Sequence, residues 1–408
     1  MKSVYKLAIV GRPNDGKSSI FANFLGDDEV AISPLPGETK QMQPHLINLG
    51  SCAVEIIDTP GLQHPETVFL NFERYRSRGK PCAKTFMEEF TDSKYAHDIE
   101  IMKAVSGADV CMIVVNADNF FGHTQKRILD TFLMLESSVA LVGVINRSDE
   151  TFLGEWREQF ERRGIECFGY DAFKSRFRDF SKLFDEICSS ATFRRRSELG
   201  GVLQMLKQNR AALFDGNFDA VANEILNSLK DLACLRSSLR MSGFSLTLEE
   251  REKLRRELSK SMEALARKTS AEVLRMLRFT GIKLGEINFG VSEADLSVKS
   301  PGILSRVWGC APFVKRPLAQ CAANPASDLP LRFLRAQAGF VMEAASFSYA
   351  QSATKAFGIN SAKSAMLPVD ESEILKFFKR ALKGDDSDSF YKLQSALRDS
   401  ISAALKKF

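Results

Sequence analysis

Short, unbroken apolar runs alternate with longer amphipathic stretches through the first half of the chain. The runs fall at residues 5–10, 45–49, 53–58, 109–116, 139–146 and 165–170. Runs of this length read as strands covered on both faces. Between them lie helix-length segments at 17–25, roughly 66–105, 123–137 and 152–163. Residues 45–58, with Gly50-Ser51 at the centre, predict an antiparallel hairpin. The remaining order is strand–helix–strand. This predicts an α/β fold, an open and mostly parallel sheet with helices on both faces. In such sheets ligands sit beyond the carboxyl ends of the strands.

The pattern then changes. Residues 172–188 form one amphipathic segment that would close the first domain, and from Thr192 to about Leu277 the chain is rich in Leu, Ala, Arg, Lys and Glu. Leu254, Leu258, Met262 and Leu265 recur at helical spacing. So short a stripe fits packing inside a helical bundle better than a coiled-coil seam. Residues 281–331 hold most of this half's Gly and Pro and read as loop-rich, and two last helices are expected at 371–383 and 388–406. A chain of 408 residues exceeds one small core. The expected division is residues 1–190 and a mainly α-helical domain over 191–408.

Composition changes this picture in one respect. Hydrophobic residues make up 44% and charged residues 26%, ordinary values for a soluble globular protein. Residues 1–190 carry 22 Lys and Arg against 28 Asp and Glu, net −6, whereas residues 191–408 carry 34 against 23, net +11. A basic second half points to an acidic partner, RNA or an anionic membrane surface, or else to a solvated helical surface. None of the eight cysteines forms a C-x-x-C pair. Reduced thiols used as small apolar residues are expected, with no zinc site. No run of 18 apolar residues and no signal-peptide pattern is present. The expected location is cytoplasmic, with peripheral contact at a membrane's inner face as a variant.

Four loops at predicted strand ends carry candidate chemistry. Gly11-Arg12-Pro13-Asn14-Asp15-Gly16-Lys17-Ser18 fits G-x-x-x-x-G-K-[ST] between a strand and a helix. That is the arrangement of a phosphate loop, whose backbone N–H groups and helix N-terminus bind anionic phosphates. Asn14, Asp15, Gly16, Lys17, Ser18 and Ser19 are its candidate nucleotide contacts. Lys17 reaches the terminal phosphates and the Ser18 hydroxyl binds Mg²⁺. Asp58-Thr59-Pro60-Gly61 ends the third strand. Asp58 is placed to hold Mg²⁺ through water, and the Gly61 N–H to sense a terminal phosphate. Thr39 lies between them in Pro36-Gly37-Glu38-Thr39. Its hydroxyl can reach Mg²⁺ only while a third phosphate is bound, which makes that loop a switch. Asn146-Arg147-Ser148-Asp149 ends the fifth strand. A carboxylate there can accept two hydrogen bonds from the N–H groups on guanine's edge, which adenine cannot offer.

These motifs, in this order, resemble the translation-factor-related P-loop GTPases of the Era/TrmE/EngA branch. The resemblance covers residues 5 to about 190. G-R-P-N-x-G-K-S and D-T-P-G-L are the forms typical of that branch. The long insert Gln63–Gly107, Trp156 and the Gly169-Tyr170-Asp171 turn further resemble bacterial Era-like GTPases with a C-terminal helical domain of unknown function. The resemblance implies binding of GTP and GDP and Mg²⁺-dependent hydrolysis of GTP, with Lys17, Thr39, Gly61 and Asn14 in the catalytic set. It also implies a potassium ion held by Asn14. The alternative for Asn14 is that asparagine simply tolerates φ > 0 in a tight loop. A ribosome or RNA partner and a dimer of GTPase domains are further family expectations. No G-x-x-G loop of the KH type is found.

The sequence also departs from the family pattern. Arg147 replaces a lysine, and Phe168-Gly169-Tyr170-Asp171 replaces the S-A-K/L loop. Leu62 stands where many GTPases carry a water-orienting glutamine, so slow intrinsic hydrolysis is expected. A nucleotide-binding interaction module with little hydrolysis is the alternative reading. Asp15 replaces a small apolar residue. A carboxylate facing phosphate would be repelled, so its side chain is expected to point outward. There it would weaken affinity modestly or meet a cation such as Lys40, Arg74, Arg76 or Arg78.

Overall fold

The computed structural model describes residues 3–26, 41–147, 151–175, 177–242, 246–279, 283–288, 292–299, 318–324, 326–345, 356–360, 370–381 and 387–405. It divides into two compact units, with the boundary between Leu213 and Phe214.

The first unit is built on a six-stranded sheet. Its strands are β1 (Ser3–Gly11), β2 (Gln43–Asn48), β3 (Cys52–Asp58), β4 (Val110–Asn116), β5 (Ala140–Asn146) and β6 (Cys167–Tyr170), in the order β2-β3-β1-β4-β5-β6. All pairs are parallel except β2 with β3, the hairpin whose turn Gly50 takes at φ 85°. Alternation along the strands explains their continuous apolar runs. Leu7 and Ile9 of β1, with Met112 and Val114 of β4, join a core with Phe21 and Phe24 of α1 (Lys17–Leu25). Ala8 and Val10, with Cys111 and Ile113, face the opposite core with Phe72, Phe86 and Trp156. Helices therefore cover both faces.

The stretch expected to be helical at 66–105 is three helices, α2 (Pro65–Ser77), α3 (Cys82–Glu89) and α4 (Ala96–Val105). The break after α2 falls at Gly79, in the left-handed region at φ 65°, and at Pro81, which cannot continue a helix. Two further helices are shorter than expected: α5 (His123–Phe132) and α6 (Leu153–Glu161). The segment 172–188 begins its helix only at Phe177 (α7, Phe177–Ser189), because Asp171 holds the preceding residues in a turn. The core does not stop at residue 190. Phe193 of α8 (Ala191–Arg195) and Leu199, Val202, Leu203 and Leu206 of α9 (Ser197–Cys234) pack into the same core as β1 and α1.

The second unit is mainly helical. Its helices are the end of α9, α10 (Leu248–Met276), α11 (Leu329–Ala345), α12 (Glu371–Ala381) and α13 (Ser387–Leu405). Leu254, Leu258 and Met262 are buried on α10, which packs against α11, so the helical stripe serves a bundle. Thr247 caps α10 reciprocally with Glu250, the Thr-x-x-Glu capping box. The loop-rich reading of 281–331 needs correction. It contains β8 (Lys283–Asn288), β9 (Leu296–Lys299) and β10 (Leu318–Ala323). With β7 (Arg236–Arg240) and β11 (Ala356–Asn360) these form a three-stranded sheet, β7-β10-β9, and a pair, β11-β8. Short strands of Ser, Ala and Arg carry little apolar alternation, and their partners lie far along the chain. Among the described residues, no helix is long and apolar enough to cross a membrane.

Candidate nucleotide-binding site

The loop after β1 turns sharply at three points. Gly11 and Gly16 have φ 155° and 91°, and Asn14 has φ 64°. A Cβ on Gly11 would lie 2.3 Å from the Val114 carbonyl oxygen, and one on Gly16 would lie 2.1 Å from Asn146 Nδ2. Only glycine fits either place. Asn14 is exposed, and its left-handed backbone is the conformation asparagine tolerates. Ser19 is half-buried in the first turn of α1.

Three charged or polar side chains converge where β1 and β3 end side by side, with Ile9 paired to Asp58. Lys17 Nζ donates to the Arg12 carbonyl across the loop at 2.7 Å. Ser18 Oγ donates to Asp58 Oδ2 at 2.6 Å. Asp58 is wholly buried, and its Oδ1 has no hydrogen-bond partner among the described residues. Burial lowers the Lys17 pKa, against the pull of Asp58 and Asp15. Burial likewise raises that of Asp58, against the Ser18 hydrogen bond and Lys17. A buried ammonium and a buried carboxylate, each pressed toward neutrality, fit a site completed by an anion and a cation. The orphaned oxygen beside the Ser18 hydroxyl is the donor set that a hydrated divalent ion takes.

The segment after β3 closes over this loop. Thr59 Oγ1 donates to the Ile9 carbonyl at 2.7 Å, and the Leu62 N–H donates to the Gly11 carbonyl at 3.0 Å. A Cβ on Gly61 would lie 2.2 Å from Pro13 N, so the two loops approach as only glycine permits. The Leu62 side chain is buried in the core and faces no water.

The outward orientation expected of Asp15 is not found. Asp15 is 4% exposed, and its Oδ2 accepts the Arg12 N–H at 3.1 Å. The carboxylate braces the loop from inside. Burial raises its pKa to about 6, with Lys17 and Arg12 opposing the rise. No cation from the insert meets it. Arg74 instead pairs with Glu89 and lies over the Tyr75 ring, and Lys40 lies outside the described residues.

Asn146 acts as a strut between three loops. Its Nδ2 donates to the Asp15 carbonyl at 3.0 Å, and its Oδ1 accepts from the N–H groups of Ala172 at 3.0 Å and Arg147 at 3.1 Å. Arg147 sits at φ 55° and its guanidinium pairs with Asp118. The Phe168-Gly169-Tyr170-Asp171 turn is tied to α1, because Asn23 Nδ2 donates to the Tyr170 hydroxyl and to the Ala172 carbonyl. Trp156 Nε1 donates to the Asn119 carbonyl at 2.8 Å, anchoring α6 to the loop after β4. Thr39, Ser148 and Asp149 lie outside the described residues.

A strand, a glycine-rich loop and a helix, with a lysine, a serine and a facing aspartate, define a P-loop nucleotide-binding domain. Residues 6–147 match the family described as 50S ribosome-binding GTPase. The GTPase Der of Pseudothermotoga lettingae is 33% identical over 144 residues, 35% of this chain and 28% of the relative. That of Thermomicrobium roseum is 30% identical over 169 residues, 40% and 32% respectively. This chain thus spans about a third of the length of these relatives. Two solved structures are also similar. Era in complex with MgGDPNP and nucleotides 1506–1542 of 16S ribosomal RNA is 20% identical, with 46% of this chain and 56% of that one covered and a TM-score of 0.34. An Aquifex aeolicus Era variant bound to GDP·AlF4⁻ is 22% identical, with the same coverage and TM-score. Residues 6–147 of the first unit are thus similar in sequence to P-loop GTPase domains.

Proposed function

We propose that this protein binds GTP and GDP and hydrolyses GTP as a nucleotide-gated switch. The observation that carries this reading is the Lys17, Ser18 and Asp58 cluster, with its buried, partnerless Asp58 oxygen. The backbone amides of residues 14–19 and the Lys17 ammonium bind the phosphates. Ser18 and Asp58, joined by Thr39 in the triphosphate state, hold Mg²⁺, which supplies positive charge toward the phosphates when bound. Gly61 senses the terminal phosphate by its N–H. Asp149 reads the guanine edge, and Asn146 and Arg147 fix the loop that presents it. The buried Leu62 cannot orient water, so intrinsic turnover is slow unless another side chain takes that role.

Asn14 is the candidate potassium ligand. GTP turnover followed in potassium and in sodium tests this together with the hydrolysis. Turnover stimulated by potassium and lost in Asn14→Ala, with GDP binding kept, supports it. Binding without turnover in either salt supports the interaction module instead.

For the partner, the +11 charge of residues 191–408 and the ribosome-binding description of the matched family favour RNA on a cytoplasmic ribosome. Salt-sensitive retention of ribosomal RNA by the full chain supports this. Flotation with anionic vesicles, or nucleotide-dependent dimerisation without RNA binding, contradicts it.

A further inference from the structure

Asp98 is a buried carboxylate that none of the nucleotide motifs uses. It is the third residue of α4 and is fully buried. Its Oδ1 accepts the backbone N–H groups of Gln63 at 2.9 Å and His64 at 3.3 Å. Its Oδ2 lies 2.7 Å from His64 Nδ1. A carboxylate only accepts, so His64 carries a proton on Nδ1, and in the neutral ring this leaves the Nε2 lone pair open. Among the described residues Nε2 has no hydrogen-bond partner, and the side chain is 30% exposed. The ring is steadied edge-on by Tyr95, at 5.0 Å between centroids.

This pair stands at the edge of the phosphate loop. Residues 61 and 62 are pinned onto that loop through the Leu62 N–H and Gly61. His64 follows two residues later, and two residues span at most roughly 7 Å. An imidazole there can reach the region beside a terminal phosphate sensed by Gly61. Leu62 leaves that region without a side chain to orient water.

We propose that His64 orients the attacking water and takes its proton, with Asp98 as the positioning residue behind it. This rests on the GTPase reading above. The water oxygen forms a bond to the terminal phosphorus while the bond from that phosphorus to the bridging oxygen breaks. The electron pair leaves with the diphosphate. One water proton passes to His64 Nε2 and the other stays on the released phosphate. The Nδ1–H remains bonded to Asp98, whose charge steadies the imidazolium until it returns the proton to solvent.

The test is single-turnover hydrolysis of Mg²⁺-GTP by the full chain and by His64→Ala, His64→Gln and Asp98→Asn, with GDP affinity measured in parallel. His64→Ala is expected to slow hydrolysis by about 10²-fold with GDP affinity unchanged, and added imidazole to restore part of the rate. Asp98→Asn must turn its amide nitrogen toward Nδ1, because Oδ1 serves two backbone N–H groups. That moves the ring proton to Nε2 and slows hydrolysis without rescue by imidazole. Wild-type turnover in His64→Ala, or in Asp98→Asn if the alanine variant does not fold, overturns the proposal. So does a joint loss of GDP affinity and turnover that imidazole does not relieve, since that marks an anchor only. A wild-type chain that fails to bind GDP overturns the nucleotide reading itself.

Discussion

The phosphate loop and the sheet of the second unit are both made of short backbone segments, yet one is specified far more locally than the other. The loop's turns are made by residues within a few positions of one another. Gly11, Asn14 and Gly16 supply the turns, and Lys17 and Asp15 brace them against Arg12. In the second unit, β7 pairs with β10 and β8 with β11 across long stretches of chain. β7 and β10 are held by burial against α10, as where Ser237 Oγ donates to the Leu254 carbonyl at 2.9 Å. Local backbone demands write a recognisable pattern, whereas long-range packing writes only a composition.

If the comparison holds, substitutions in the two regions have separable effects. The largest is expected in the second unit. Leu258 is fully buried on α10, so Leu258→Ala should cost about 4 kcal/mol. Chemical denaturation should show this loss while GDP affinity stays as in the wild type. A fall in affinity would mean that the two units are not independent.

The next effect belongs to Asp15. Burial raises its folded pKa to about 6, above the ordinary carboxylate value of 3.8. The neutral form is therefore favoured in the folded state. Its stabilisation is complete below about pH 4 and lost as pH rises through about 6, a change of about 3 kcal/mol. Asp15→Asn keeps an acceptor for the Arg12 N–H and removes the titration. The variant should gain on the wild type across that window, read from paired thermal melts. Parallel curves would show that the carboxylate is not the buried charge described above.

Lys17→Ala removes a charge-assisted contact to phosphate and should weaken GDP binding by about 10²-fold. A fluorescent GDP analogue reads this directly, and unchanged binding would place the phosphates elsewhere. The smallest effect is expected from Thr247→Ala, which removes the cap of α10. It should cost about 1 kcal/mol by denaturation, with GDP affinity unmoved.

Much of the first unit was legible because its strands are buried on both faces and its motifs are contiguous. Leu7-Ala8-Ile9-Val10 could hardly be anything but a central strand, and Asp58 had to end β3. The inward turn of Asp15 was not legible, because the loop's own N–H groups decide it. His64 and Asp98 are 34 residues apart and belong to no motif. Their meeting depends on how the three-helix insert folds back onto the segment after β3. The helical stripe of α10 was visible, but β7 and β10 were hidden by their small and polar residues.

The central claim is that the loops at the strand ends hold a guanine nucleotide. It is tested most directly by titrating the full chain with labelled GDP and labelled ADP in Mg²⁺. Tight GDP binding with weak ADP binding is the predicted result. Equal affinity for the two would contradict it and leave a phosphate-binding loop without base selection.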